Sequence, residues 1–201
     1  SVSFRTGSLS CVLRCAKVPE PACRSEHFFR LISTTLSTSL AMMTTLLHEY
    51  ARYNLWANTR FVERLCIEPD HVLDAEVPSS FPTLRKTLLH IRDAENAWSC
   101  RLQGAPVPWP ANDRSDIADL IPYSKVLCDL VLGYDEGLLL ETREFKTLKD
   151  DPQKSAVWRM LHHCFNHSTQ HRGQLITMMR ALRLEGIPGN DLVLYQRSLS
   201  A

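Results

Sequence analysis

Apolar residues recur at intervals of three and four in four separate stretches of this chain, and this periodicity limits its fold more than any other feature. A repeat of about 3.6 residues places such side chains on one face of an α-helix. Four helices that each carry one apolar stripe bury all of them in a four-helix bundle. The sequence therefore predicts an all-α fold with helices over Thr44–Cys66, Leu84–Gly104, Pro122–Thr142 and from Asp151 or Ser155 to Glu185.

The connections between these stretches limit how the helices run. The second link, from Gly104 to about Ile121, holds roughly 18 residues, and at ~3.3 Å per residue it can span a helix of ~30–35 Å. We therefore expect the second and third helices to run parallel. The short link at 145–150 makes the third and fourth antiparallel. No segment alternates apolar and polar residues as a strand does, although 74–81 and 192–195 could form short extended pieces.

Composition and charge exclude two classes of partner. The chain has no apolar run of about 18 residues, so no membrane span is expected. Residues 44–201 sum to a net charge of −2 and contain no cluster of Lys and Arg. A nucleic-acid-binding surface needs such a cluster, and we therefore expect no nucleic-acid partner.

The first 43 residues differ from the rest of the chain. They are rich in Ser and Thr, poor in acidic residues and carry spaced arginines, which is typical of an organelle transit peptide. The alternative is a disordered extension before a start at Met42 or Met43. We expect 1–43 to be a poorly structured extension and 44–201 to be the folded domain. Seven cysteines without a C-x-x-C pair favour a reducing compartment, either the cytoplasm or an organelle such as a mitochondrion or plastid.

Histidines are concentrated in the fourth predicted helix. His163, His167 and His171 follow one another at intervals of four, so their side chains lie on the same side. Two imidazoles one turn apart can bind one divalent ion at ~2.0–2.1 Å, but a third ligand must come from another helix. His90 is the candidate because it borders the apolar stripe of the second helix, and His48 is its competitor. Spacing alone leaves open whether these are metal ligands or hydrogen-bonded core histidines.

Four segments carry a resemblance to a known family. The stretch 161–174 reads L-H-H-C-F-N-H-S-T-Q-H-R-G-Q and resembles the N-H-x-x-x-H-R-G-Q signature of the DinB family, a group of DinB/YfiT-like metalloenzymes. Three further elements of that family have counterparts here. Residues 53–58 resemble Y-N-x-W-A-N, residues 87–98 resemble T-L-x-H-I-x-x-x-E-x-x-W, and residues 191–195 resemble D-L-x-x-Y. The resemblance covers about 44–197.

The resemblance implies both a topology and a cofactor. It implies a four-helix bundle with up-down-down-up connections, and one divalent metal ion (Zn, Ni or Fe) held by His90, His167 and His171. By the same correspondence His163 and Asn166 lie beside the site. Members of the family with assigned activities include thiol-dependent S-transferases and isomerases, and a homodimer is plausible for the family.

Glu95 is the candidate for a catalytic carboxylate. It lies in the apolar stripe of the second helix, where a charged side chain needs a partner. We expect a general base or an acceptor for a ligand imidazole; the alternative is a buried carboxylate paired with an arginine such as Arg172.

The function predicted from these residues is that of a metal-dependent enzyme. It would act on a small molecule, by hydrolysis or by transfer to a low-molecular-weight thiol, because three histidine ligands leave a coordination position for water or substrate. The alternative is a metal-binding or interaction bundle without catalysis. A fourth protein ligand, for instance His163 or His48, would favour that alternative.

Overall fold

The computed structural model describes the backbone of residues 22–200 and the side chains of 41–200, and this part of the chain is mostly helical. It contains α1 (Ala22–Leu65), α2 (Asp70–Leu73), α3 (Leu84–Gln103), α4 (Leu120–Leu132), α5 (Glu136–Leu140), α6 (Val157–Ala181), α7 (Leu192–Ser198), and the strands β1 (Thr142–Lys146) and β2 (Pro152–Ala156). None of the helices in this part is long and apolar enough to cross a membrane.

The first helix is longer than predicted. It begins at Ala22 rather than Thr44. No glycine or proline occurs between Ala22 and Leu65, so no residue of this segment breaks the backbone hydrogen bonds. The backbone of 22–43 is therefore helical, where the sequence predicted a poorly structured extension. Its first part, residues 1–21, lies outside the described residues.

The chain divides into two compact units, Ser1–Thr38 and Ser39–Ala201. Of the first unit, the described residues contribute helical backbone from Ala22 onward. The described side chains, those of residues 41–200, all belong to the second unit.

The third predicted helix is interrupted, and a hairpin follows it. Helix α4 ends at Leu132 with Gly133 as its C-cap residue, and α5 is a separate short helix. Strands β1 and β2 then pair antiparallel, from Thr142 opposite Ala156 to Lys146 opposite Pro152. Helix α6 consequently begins at Val157, after both predicted starts.

A segment near the C-terminus also differs from the prediction. Residues 192–195, which the sequence allowed as a short extended piece, form the start of helix α7. Residues 74–81 belong to no strand in the described part of the chain.

Helix α3 is central to the second unit, where it packs against both α4 and α6. Its buried face joins an apolar cluster that includes side chains of α1 and α6, namely Phe61, Leu65, Leu84, Leu88, Ile91, Leu175, Met178 and Met179. A further cluster surrounds Leu102, Leu127, Val131, Leu161 and Phe165. This packing brings the histidine-bearing faces of α3 and α6 together.

Candidate metal centre

Two helices bring three histidines together. Helix α3 supplies His90, and α6 supplies His167 and His171 from adjacent turns. The Nε2 atom of His167 lies 3.1 Å from Nε2 of His90 and 3.1 Å from Nε2 of His171. All three candidate ligand atoms lie within 4.8 Å of one another. The sequence-predicted set of His90, His167 and His171 therefore forms one cluster.

The environment keeps two of these imidazoles neutral. Burial, together with the neighbouring His171, lowers the pKa of His90 to about 4. Burial, followed by the neighbouring histidines, lowers the pKa of His167 to about 3. At neutral pH both rings therefore keep a nitrogen lone pair, which a metal ligand requires.

A hydrogen bond fixes the tautomer of the third imidazole. His171 Nδ1 donates to the side-chain oxygen of Gln174 at 2.7 Å, so its proton lies on Nδ1 and the lone pair on Nε2 faces the other two rings. The amide nitrogen of Gln174 donates in turn to Ser80 Oγ at 2.9 Å. Sequence reasoning missed Gln174 as part of the site, although it closes the H-R-G-Q signature three residues after His171.

The three nitrogens suit a single small cation. Two nitrogens that each lie ~2.0–2.1 Å from a tetrahedral ion are about 3.3–3.4 Å apart. The two separations of 3.1 Å around His167 are close to that value. The other ring nitrogen of His167, Nδ1, is buried and has no hydrogen-bond partner in the described chain.

The aromatic rings of Phe81 and Trp109 cover one side of the histidine cluster. Phe81 stacks on His90 with ring centroids 4.0 Å apart and approaches His171 edge-on at 5.5 Å. The indole of Trp109, from the link between α3 and α4, lies edge-on to His90 at 6.0 Å. These rings shield the imidazoles from water on that side, which is consistent with the lowered pKa values of His90 and His167.

The remaining candidate histidines lie outside the cluster. His163 is exposed, and its ring lies 6.1 Å from that of His167 and 5.1 Å from that of Trp98. His48 Nε2 instead forms a hydrogen bond of 3.0 Å with the carbonyl of Tyr134. Within the described residues neither joins the three-histidine group.

Glu95 is fully buried at the centre of a polar network. Its carboxylate accepts hydrogen bonds from four side chains: Asn54 at 2.7 Å, Asn58 at 2.8 Å, Ser124 at 2.6 Å and Ser168 at 2.8 Å. No imidazole is among its hydrogen-bond donors in the described part of the chain. This environment does not support the predicted role of general base or acceptor for a ligand imidazole, because a base must reach the substrate.

Arg172 belongs to the same network, but it does not pair with Glu95 directly. The amide oxygens of Asn54 and Asn58 each accept a hydrogen bond of 2.7 Å from its guanidinium, while their amide nitrogens donate to Glu95. The predicted direct pair is therefore replaced by two bridging amides. Asn58, one turn after Asn54 on the buried face of α1, is the signal that sequence reasoning overlooked.

Four cysteines have described side chains, and all four, Cys66, Cys100, Cys128 and Cys164, are free. Cys128 and Cys164 are buried. Burial raises the pKa of the Cys164 thiol well above its usual range. These two side chains therefore act as small apolar groups, as expected of buried thiols.

The fold and the cluster define a class of helical protein in which two helices bring three imidazoles together. Two of these imidazoles are neutral, and a hydrogen bond fixes the tautomer of the third. The family model of the DinB family matches residues 42–188, and the chain belongs to that family. The resemblance carried by the sequence motifs is thereby confirmed.

Individual relatives show the extent of the likeness. Protein DinB of Bacillus subtilis (strain 168) is 25% identical over 154 residues, which cover 71% of this chain and 89% of that protein. The crystal structure of a DinB-like protein from Bacillus cereus ATCC 10987, at 2.01 Å resolution, is 18% identical with a TM-score of 0.49, covering 66% of this chain and 89% of that one.

Proposed function

We propose that this protein binds one divalent metal ion (Zn, Ni or Fe) through His90, His167 and His171, and that it is an enzyme whose reaction depends on this ion. The observation that carries the proposal is the convergence of three imidazole nitrogens within 4.8 Å, with the pKa values of two rings lowered to about 4 and about 3. The reaction is hydrolysis of a small molecule, or transfer to a low-molecular-weight thiol.

The proposal includes the topology in which the site is built. Helices α1, α3, α4 and α6 form a four-helix bundle with up-down-down-up connections. The long segment between Gln103 and Leu120 supports parallel α3 and α4, because it has enough residues to return along a helix.

The chain's own residues prepare the site for chemistry. Phe81 and Trp109 limit the access of water, and Gln174 holds the His171 proton on Nδ1, away from the point where the rings meet. A divalent ion there supplies Lewis-acid chemistry toward a water, a thiol or a carbonyl. Glu95 and Arg172 stabilise the helices that carry the ligands, since both side chains are fully buried and hydrogen-bonded to α1.

Three protein ligands favour catalysis over a closed binding site. A catalytic site keeps a coordination position for water or substrate, whereas a closed site has four protein ligands. His163 and His48, the two candidates for a fourth ligand, have other surroundings. The non-catalytic alternative is therefore less well supported.

Cobalt substitution tests the proposal. Azide added to the Co(II)-loaded protein should change its visible spectrum, because an exogenous ligand can enter a site with three protein ligands. A low-molecular-weight thiol that adds a sulfur-to-cobalt charge-transfer band would support the transferase reaction, and a thiol without this effect would favour hydrolysis. A spectrum that neither azide nor thiol alters would contradict the enzymatic proposal.

A further inference from the structure

A cavity of about 600 Å³ lies between the end of α3 and the β1–β2 hairpin. Arg101, Phe145 and Lys146 line it together with Trp109. Trp109 also lies edge-on to His90, with ring centroids 6.0 Å apart, so one side chain of the cavity lining borders the histidine cluster. Its volume suits a small molecule rather than a macromolecular partner.

Arg101 is a cation without an acidic partner in this cavity. Its guanidinium stacks over Trp98 at 4.7 Å and over Phe145 at 5.4 Å, and its Nε donates to the Lys146 carbonyl at 3.2 Å. No carboxylate of the described residues forms an ion pair with it, and its terminal nitrogens have no hydrogen-bond acceptor there. A half-buried guanidinium keeps its charge, so these donors are available to an anion.

The other charged side chains of the cavity are already paired. Lys146 Nζ lies 3.5 Å from Asp150, and Glu144 lies 3.2 Å from Lys154 Nζ. The cavity therefore has one uncompensated positive charge, at Arg101, beside the aromatic surfaces of Phe145 and Trp109.

Arg101 is also aligned with the metal-ligand candidate on its helix. A helix turns ~100° and rises ~1.5 Å per residue, so His90 and Arg101, eleven residues apart on α3, share a face at about 16 Å along the axis. Both side chains extend from that face. An elongated small molecule can therefore reach from the guanidinium of Arg101 to the imidazole of His90.

We propose that this cavity binds the substrate as a small organic carboxylate, with its carboxylate on Arg101 and an apolar, planar portion against Trp109 and Phe145. The inference rests on the proposed function and specifies its substrate class. The carboxylate accepts hydrogen bonds from the free guanidinium nitrogens, and the remainder of the molecule extends toward the imidazole cluster.

Calorimetric titration with benzoate, cinnamate and 4-phenylbutyrate tests the proposal, each compared with its uncharged amide. At least one acid should bind the wild-type protein more tightly than its amide. Arg101→Gln should weaken that acid roughly tenfold to a hundredfold, as expected for a charge-assisted hydrogen bond. Arg101→Lys should retain part of the affinity, because it keeps the charge but loses the two-pronged geometry.

Arg159→Gln is the matched control, because Arg159 is exposed and also stacks on a tryptophan, Trp158, at 5.1 Å. It should leave the affinity unchanged. Equal binding of every acid and its amide by the wild-type protein would overturn the proposal, as would equal acid affinities for Arg101→Gln and the wild type.

The same titration on the His167→Ala variant separates this proposal from the metal site. Carboxylate binding that persists there, while metal binding is lost, supports an Arg101 site independent of the ion. If the wild-type protein binds no metal but still selects acid over amide, the proposed function fails and the carboxylate site stands.

Discussion

Gln174 is the side chain that decides which nitrogen of His171 carries a proton. Replacing it with leucine removes the acceptor, and the affinity for Zn should fall roughly tenfold to a hundredfold, as for other partners that orient metal-binding imidazoles. Gln174→Glu should retain the affinity because a carboxylate also accepts from Nδ1. Competition with a chromogenic chelator measures both variants, and Gln170→Leu, on the exposed face of the same helix, is the control. Equal affinities for Gln174→Leu and the wild type would refute the assignment.

Glu95 should matter for stability rather than for metal binding. Glu95→Gln removes a buried negative charge. Four hydrogen-bond donors compensate this charge directly, and Arg172 compensates it through two asparagines. Loss of one charge from a buried ionic network costs about 3–5 kcal/mol, which urea unfolding can measure. Zn affinity should stay within about twofold of the wild type, because no ligand contacts Glu95. The control is Glu63→Gln on the exposed surface of α1. Unchanged stability with lost Zn affinity would restore the role first predicted for Glu95.

At the residue scale, the sequence predicted the candidate ligands but not their supporting shell. His167 and His171 lie one turn apart, and His90 borders an apolar stripe, so periodicity alone points them inward. The partners of Glu95 come from α1, α4 and α6, and such contacts across helices have no local signature. The bridging of Glu95 and Arg172 by two amides could therefore not be read from spacing.

At the scale of elements, long amphipathic helices were predictable and the short exposed hairpin was not. Helix α3 matches its prediction because an apolar stripe, a start after Pro82 and a stop at Gly104 agree. Strands β1 and β2 are largely exposed. Burial alternates along β1, but Phe145 is the one large apolar residue in either strand, so the sequence lacks the apolar alternation that signals a strand. Tertiary pairing, which periodicity does not report, decides the structure of such segments.

The N-cap of α3 provides a test at this scale. Thr83 Oγ1 accepts a hydrogen bond from the backbone nitrogen of Lys86 at 3.1 Å, at the start of the helix that carries His90. Thr83→Ala should lower the free energy of unfolding by about 1 kcal/mol in thermal or urea denaturation. Thr83→Ser keeps the hydroxyl and should lose much less. Equal losses in the two variants would show that the methyl group, not the cap, stabilises this position.

At the scale of the whole molecule, the candidate site exists only in the folded chain. His90 and His167 are 77 residues apart in sequence, and packing of α3 against α6 brings their Nε2 atoms to 3.1 Å. An ion that binds the folded form alone therefore stabilises it, by about 4.1 kcal/mol at a thousandfold excess over its Kd.

The same histidines should make the metal-free protein sensitive to acid. His90 and His167 have pKa values lowered to about 4 and about 3, against about 6.5 in the unfolded chain. Below about pH 6.5 the unfolded state therefore binds more protons than the folded state, and stability falls as the pH drops toward 4. Urea midpoints should be lower at pH 5 than at pH 7. The difference should shrink in the His90→Gln/His167→Gln double variant, and an equal difference there would assign the effect to other groups.

The most direct test of the three-histidine site is the metal content of the protein purified without a histidine tag and dialysed against Zn. One equivalent per chain is predicted for the wild type, with strong loss in His90→Ala, His167→Ala and His171→Ala. His71→Ala, an exposed histidine outside the cluster, should keep the full equivalent. Less than about 0.2 equivalents in the wild type, or equal retention by His167→Ala and His71→Ala, would contradict the site.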